Sequence, residues 1–152
     1  MNTKNPIYFF ILHGPNLNLL GTREPDIYGT MTLQSIQNKI DSYLDHFAIA
    51  SRYQQSNHEG ELIDFLHDAS HWASGVVFNP GAYTHTSIAL RDAVSAIAVP
   101  VVEVHLSNIH AREPFRRISM ISPVCQGTIS GFGWQSYLLG VQSLVYQLDL
   151  DG

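Results

Sequence analysis

Ile7-Tyr8-Phe9-Phe10-Ile11-Leu12 runs directly into His13-Gly14-Pro15. Consecutive β-branched and aromatic residues, cut off by two backbone breakers, read as a strand buried on both faces, the habit of parallel sheets. Downstream, Leu33, Ile36, Ile40, Tyr43, Leu44 and Phe47 fall on one stripe at helical spacing, with Thr32 as its cap. A weaker strand pattern over 48–53 precedes a helix whose Leu62, Phe65, Leu66 and Ala69 share a face. Val76-Val77-Phe78 and the run 100–104 predict two more strands, separated by a helix with the stripe Leu90, Ala93, Val94 and Ile97. A fifth strand within 127–133 and a last helix carrying Leu138, Val141, Val145 and Leu148 complete the pattern. Strands alternating with helices define an α/β, doubly wound architecture, a five-stranded parallel sheet with helices on both faces, with 1–152 as a single domain. A closed eight-stranded barrel needs about 250 residues, more than this chain of 152 supplies.

Hydrophobic residues make up 45% of the chain and charged ones 14%. That balance excludes disorder, and the charge is sparser than the roughly 25% of an average soluble protein, so part of the surface is expected to face other subunits. Thirteen acids against eight bases, a formal net charge of −5, build no basic stripe for nucleic acid. Cys125 is the only cysteine and can close no internal disulfide; a lone thiol suits a reducing compartment, and a cytoplasmic location is expected. The run 7–12 is too short to cross a membrane, and Asn2-Thr3-Lys4-Asn5 before it do not make a signal peptide, so no membrane segment is expected.

In open sheets of this kind ligands bind beyond the carboxyl ends of the strands. The connection 13–31 is about three times the usual length. Within it Thr22-Arg23-Glu24-Pro25-Asp26-Ile27-Tyr28 lies between Gly21 and Gly29, two residues able to absorb large backbone rotations, and reads either as a lid or as a solvated surface loop. After the third strand, Asn79-Pro80-Gly81-Ala82-Tyr83-Thr84-His85-Thr86-Ser87 offers backbone N–H groups to an oxygen-rich ligand, or is an ordinary turn with a helix cap. The fourth strand delivers His105-Leu106-Ser107-Asn108, an imidazole that is catalytic or structural. Arg112, Arg116 and Arg117 are half of the chain's arginines and form either a carboxylate-binding fork or a solvated cluster.

Taken together, these loops resemble type II 3-dehydroquinate dehydratase. The resemblance rests on 14–21 (Gly-Pro-Asn-Leu-Asn-Leu-Leu-Gly) with Arg23-Glu24-Pro25 and Tyr28-Gly29, on 55–61, on 79–87, and on 103–113 with Phe115-Arg116. With Gly131-Phe132-Gly133 and Tyr137-Leu138-Leu139 it covers nearly the whole chain. It implies a flavodoxin-like fold, a homododecamer built as a tetramer of trimers, and conversion of 3-dehydroquinate to 3-dehydroshikimate in the shikimate pathway. It also implies roles: Tyr28 as general base, Arg23 as its activator, His105 as proton donor, and Asn79, His85, Leu106, Ser107 and Arg116 as substrate-binding residues, with Asp92 supplied by a neighbouring subunit. Pro114 and Ser119-Met120 depart from the family's usual residues at positions without a catalytic role.

The chemistry suits those residue types. Loss of water from a β-hydroxy ketone needs a base beside the carbonyl and an acid at the departing hydroxyl. A tyrosine at its ordinary pKa near 10 is ionised about one part in a thousand at pH 7, so it needs a neighbouring guanidinium, and Arg23 is on the same loop. A flavin-carrying electron carrier would want hydroxyls in the loop after the first strand, but 13–20 hold no Ser or Thr. A magnesium-binding receiver module would want acids where Asn16 and Asn79 stand. An imine-forming dehydratase would need a buried lysine, and only Lys4 and Lys39 exist. His67 and His71 have ligand-like spacing but fall opposite their helix's apolar stripe, so neither metal nor cofactor is expected. His85 and Asp92 share a face roughly 140° from the Leu90 stripe, a face that cannot pack on its own sheet and is expected to meet a neighbour.

Overall fold

In the computed structural model, which describes residues 5–22, 24, 26 and 30–148, the opening apolar run is strand β1 (Tyr8–His13). It pairs in parallel on both sides, with β2 (Ala50–Gln55) and with β3 (Gly75–Asn79). β4 (Val101–His105) follows β3, and β5 (Gly127–Ser130) closes the sheet, giving the order β2-β1-β3-β4-β5. This all-parallel order is that of the flavodoxin-like doubly wound fold, whose switch point lies between β1 and β3.

Among the described residues four α-helices cover the sheet: α1 (Leu33–Leu44), α2 (Glu59–Ala69), α3 (Ile88–Ala96) and α4 (Gln135–Gln147). Side chains alternate across a strand, so β1 sends Phe9 and Ile11 to one core with Ile36 and Ile40 of α1 and Val141 and Leu144 of α4. Phe10 and Leu12 join the opposite core with Leu62 and Leu66 of α2 and Leu90 and Val94 of α3. The Thr32 hydroxyl accepts the Ser35 N–H at 3.1 Å, so the expected cap starts α1. Ser87 caps α3 in the same way through the Leu90 N–H at 2.9 Å.

Three expectations need correction, and the fifth strand, found within the expected stretch, is narrowed. α1 stops at Leu44 and Phe47 belongs to a separate 3₁₀ turn, Asp45–Phe47, closed by Ala48 in a left-handed conformation. Ile97 is extended and already outside α3. β5 ends at Ser130 because Gly131 and Gly133 turn to positive φ, 99° and 59°. On α4 the buried face is shifted: Leu138 is half-buried, whereas Tyr137, Gly140 and Leu144 face the sheet. A Cβ at Gly140 would sit 2.9 Å from Val104 Cγ1, so the missing side chain is what lets the helix approach the sheet. No helix among the described residues is long and apolar enough to cross a membrane.

Candidate active site

β1, β3 and β4 end side by side, each in a polar residue: His13 and Asn79 are register partners, and His105 closes β4. Beyond these ends lies a cleft of about 160 Å³. Its floor is braced by backbone. The Gly14 N–H donates to the Asn79 carbonyl at 2.7 Å. A Cβ at Gly14 would meet the Pro80 carbonyl oxygen at 2.5 Å, so only glycine fits between the two loops. Asn16 takes a left-handed conformation (φ 69°) and its N–H donates to Asn57 Oδ1 at 2.9 Å.

His105 is set in the cleft by a buried acid. Strand alternation puts residues two apart on one side, and Glu103 accordingly lies under His105, its Oε2 2.9 Å from the ring Nε2. The Ser119 hydroxyl donates to the other carboxylate oxygen at 2.8 Å, and Glu103 is fully buried. With Nε2–H donating to Glu103, Nδ1 is the ring nitrogen left for a ligand. His85 is tied differently: its Nδ1–H donates to the Ile118 carbonyl at 2.8 Å. Burial lowers its pKa against the opposing pull of that bond, and His105 and Arg116 lower it further, so His85 is neutral at pH 7 and presents Nε2 as an acceptor.

Positive charge comes from the turns after β4. Arg116 holds Glu113 by its Nε at 2.7 Å, leaving the terminal guanidinium nitrogens for an anion. Arg112 lies 3.9 Å from the same carboxylate and reaches the Ser107 hydroxyl at 3.5 Å. The exposed Glu113 carboxyl is held below the usual range by its own backbone N–H and then by Arg116 and Arg112, against a small desolvation.

Of the residues singled out in the sequence, Asn79, His85, His105, Leu106, Ser107 and Arg116 line this one cleft. Asp92 is not among the lining residues: it is exposed on α3, which begins at Ile88, so His85, in the 3₁₀ turn Gly81–His85, does not share a helical face with it. Arg23 and Tyr28, with most of the expected lid, lie outside the described residues. Sequence reading left out Glu103, although an acid inside Val101-Val102-Glu103-Val104-His105 was itself the signal. It also left out Asn16 as a cleft residue, whereas Gly81, in the stretch expected to hold an oxygen-rich ligand, and Arg112, one arm of the expected fork, both line the cleft. His67 and His71 are both exposed, and α2 ends at Ala69, so His71 is in a turn and the pair shares no helical face. Among the described residues no group of three or more His, Cys, Asp or Glu side chains is placed to hold a metal ion.

An oriented imidazole, a neutral acceptor imidazole and a guanidinium, gathered at the switch point of a doubly wound sheet, are groups with the chemistry for acid–base work on a small anionic molecule, as in α/β enzymes. Comparison with known proteins sharpens the class. Residues 7–145 match the family model described as dehydroquinase class II. A 3-dehydroquinate dehydratase of Ruegeria pomeroyi is 54% identical over 142 residues, 93% of this chain and 95% of that protein. One from Trichodesmium erythraeum is 54% identical over 138 residues, covering 91% of this chain and 92% of its own. The crystal structure of the type II dehydroquinase from Butyrivibrio crossotus superposes with a TM-score of 0.89 at 42% identity, covering 91% of this chain and 97% of that one. The chain belongs to the class II dehydroquinase family.

Proposed function

We propose that the cleft binds 3-dehydroquinate and eliminates water from it to give 3-dehydroshikimate, a hydro-lyase step of the shikimate pathway, in the cytoplasm. Tyr28, activated by Arg23, takes the proton beside the carbonyl; the electron pair left behind forms an enolate, and its collapse expels the hydroxyl, which leaves as water with a proton from His105. Asn79, His85, Leu106, Ser107 and Arg116 hold the substrate, Arg116 through its carboxylate. The step as written uses no metal and no cofactor. The observation that carries this reading is the His105–Glu103 contact of 2.9 Å at the cleft. With Nε2–H held by the carboxylate, the proton given up is a second one, carried on Nδ1 of the doubly protonated ring, the nitrogen that faces the bound molecule.

The direct test is the ultraviolet absorbance of the conjugated product after 3-dehydroquinate is added to the purified protein. Tyr28→Phe is expected to lower kcat at least about a hundredfold with the fold intact; near-normal turnover would remove Tyr28 from the mechanism.

Asp92 is proposed to complete the site of a neighbouring chain in a homododecamer, a tetramer of trimers. Support comes from the surface around it. Ile88, one helical turn before Asp92, is 59% exposed, and Phe115 and Ile118, beside Arg116, are 68% and 70% exposed, apolar area that a second copy would cover. Inactive Tyr28→Phe and Asp92→Ala chains, unfolded and refolded together, should recover turnover at roughly one site in four. Mixed oligomers with no recovered activity would show that Asp92 serves its own chain.

A further inference from the structure

We propose that Ser119 is a positioning residue for the acid of the site: its hydroxyl makes the Glu103 carboxylate an acceptor at both oxygens, and so holds His105 with Nε2–H turned inward and Nδ1 turned to the substrate. The inference rests on the reading of the cleft as the substrate site and of His105 as its proton donor. Ser119 is half-buried and is not among the residues that line the cleft. It stands three residues after Arg116, which does line it.

The direction of each hydrogen bond follows from what a hydroxyl carries, one proton and two lone pairs. The Ser119 oxygen accepts the Ile121 N–H at 3.2 Å and the Ser122 N–H at 2.9 Å, so both lone pairs are taken. Its one proton goes to Glu103 Oε1, 2.8 Å away. Two donors on the oxygen make that O–H a stronger donor in turn, because hydrogen bonds in a chain polarise one another. Glu103 then cannot give a proton toward Ser119. Its other oxygen, Oε2, is 2.9 Å from His105 Nε2 and receives the ring N–H. The carboxylate is fully buried, where an anion short of donors is costly, so the hydroxyl supports its charge as well as its orientation. The same stretch carries the Ile118 carbonyl that accepts from His85 Nδ1 at 2.8 Å. One short segment thus seats both imidazoles of the cleft, His85 directly and His105 through Glu103.

Ser119→Ala, assayed on 3-dehydroquinate across pH, tests the inference. The lost donor favours the lone Glu103 anion more than its ion pair with a protonated ring, so without it the Glu103–His105 pair takes up its proton more readily. The alkaline limb of the kcat profile should move up by as much as about one pH unit, and kcat should fall about tenfold with KM little changed. The titratable and charged groups facing the pair are His85, Arg112 and Arg116 in the cleft and Cys125 near Glu103. His85 is neutral, the arginines keep their charge, and the thiol is pushed up to about 12 by burial and then by Glu103, so the limb reads the pair. Ser119→Thr keeps the hydroxyl and should keep the wild-type profile. Ser119→Cys, a weak donor of similar size, should fall between, and it reads the same question if Ser119→Ala does not fold. In the Glu103→Gln background the loss of the hydroxyl should move the limb no further, because the charge it supports is gone. A wild-type limb in the variant lacking the donor, equal losses in Ser119→Thr and Ser119→Ala, or additive shifts with Glu103→Gln would overturn the positioning role in an active enzyme. A wild-type protein inert toward 3-dehydroquinate would overturn the site reading with it.

Discussion

β1 and β4 each end in a histidine, one residue apart in the sheet register, and the two have opposite fates. His13 is fully buried against the phenol of Tyr137, a neutral partner at 2.8 Å. His105, 5% exposed, opens onto the cleft and leans on a carboxylate at 2.9 Å. A ring that is sealed off and faces only neutral groups has nowhere to send a proton and no charge to stabilise it when it holds two. A ring with one face in the cleft and an anion behind it can be turned toward a ligand and used. Strand position alone therefore does not decide which histidine is open to a ligand; burial and the hydrogen-bond partner do.

Exchanging or removing the partners tests that contrast. His105→Ala should cost the largest effect, at least about a hundredfold in kcat, the loss expected when the proposed proton donor is removed. Steady-state rates on 3-dehydroquinate check it. Glu103→Gln keeps a hydrogen bond to Nε2 but removes the anion, and a fall in kcat of about tenfold or more with KM little changed is expected. An unaffected kcat would reduce Glu103 to packing.

At His13 the effect belongs to stability and carries a definite sign. The unfolded chain takes up a proton below about 6.5 that the folded chain refuses until about pH 3. The contribution is therefore intact above pH 6.5 and is lost as the pH falls toward 3. His13→Gln should flatten the stability profile across that window by up to about 1.4 kcal/mol per pH unit. Urea unfolding at pH 6 and pH 4, wild type against variant, measures it; parallel profiles would mean that His13 accepts a proton in the folded protein. Cys125 gives the smallest effect. Burial, with some help from the charge of Glu103, pushes its thiol up to about 12, so it stays protonated at neutral pH. Cys125→Ala should leave turnover within about twofold, and alkylation by iodoacetamide should be slow.

Much of this was readable from the chain because the sheet is parallel and covered twice. Phe9 to Leu12 had to be apolar on both faces, so β1 announced itself. β2 sits at the sheet edge and alternates exposed with half-buried residues, which is why Ser51, Arg52 and Gln54 diluted its signal. The last helix was misjudged because a counted stripe gives weight to Leu138 and none to Gly140, yet it is the absence of a side chain at Gly140 that sets the contact with Val104. In the site, motif order identified the cleft residues His105, His85 and Arg116, whereas Glu103 follows only from asking what a carboxylate does inside a buried strand. No pattern in one chain states whether Asp92 serves a cleft of a second copy.

The clamp between the first and third loops has a consequence for anyone wishing to retune this pocket. Gly14 and Pro80 are in contact through backbone, and Asn16 is tied to the segment after β2, so the floor behaves as one stiff plate whose parts cannot be shifted singly. A library spread over 14–16 and 79–81 would mostly return misfolded chains. Ser107 and Arg112, on the turns that follow β4, are not part of that plate and could be varied one at a time, which makes the rim the place where a new substrate shape could be admitted.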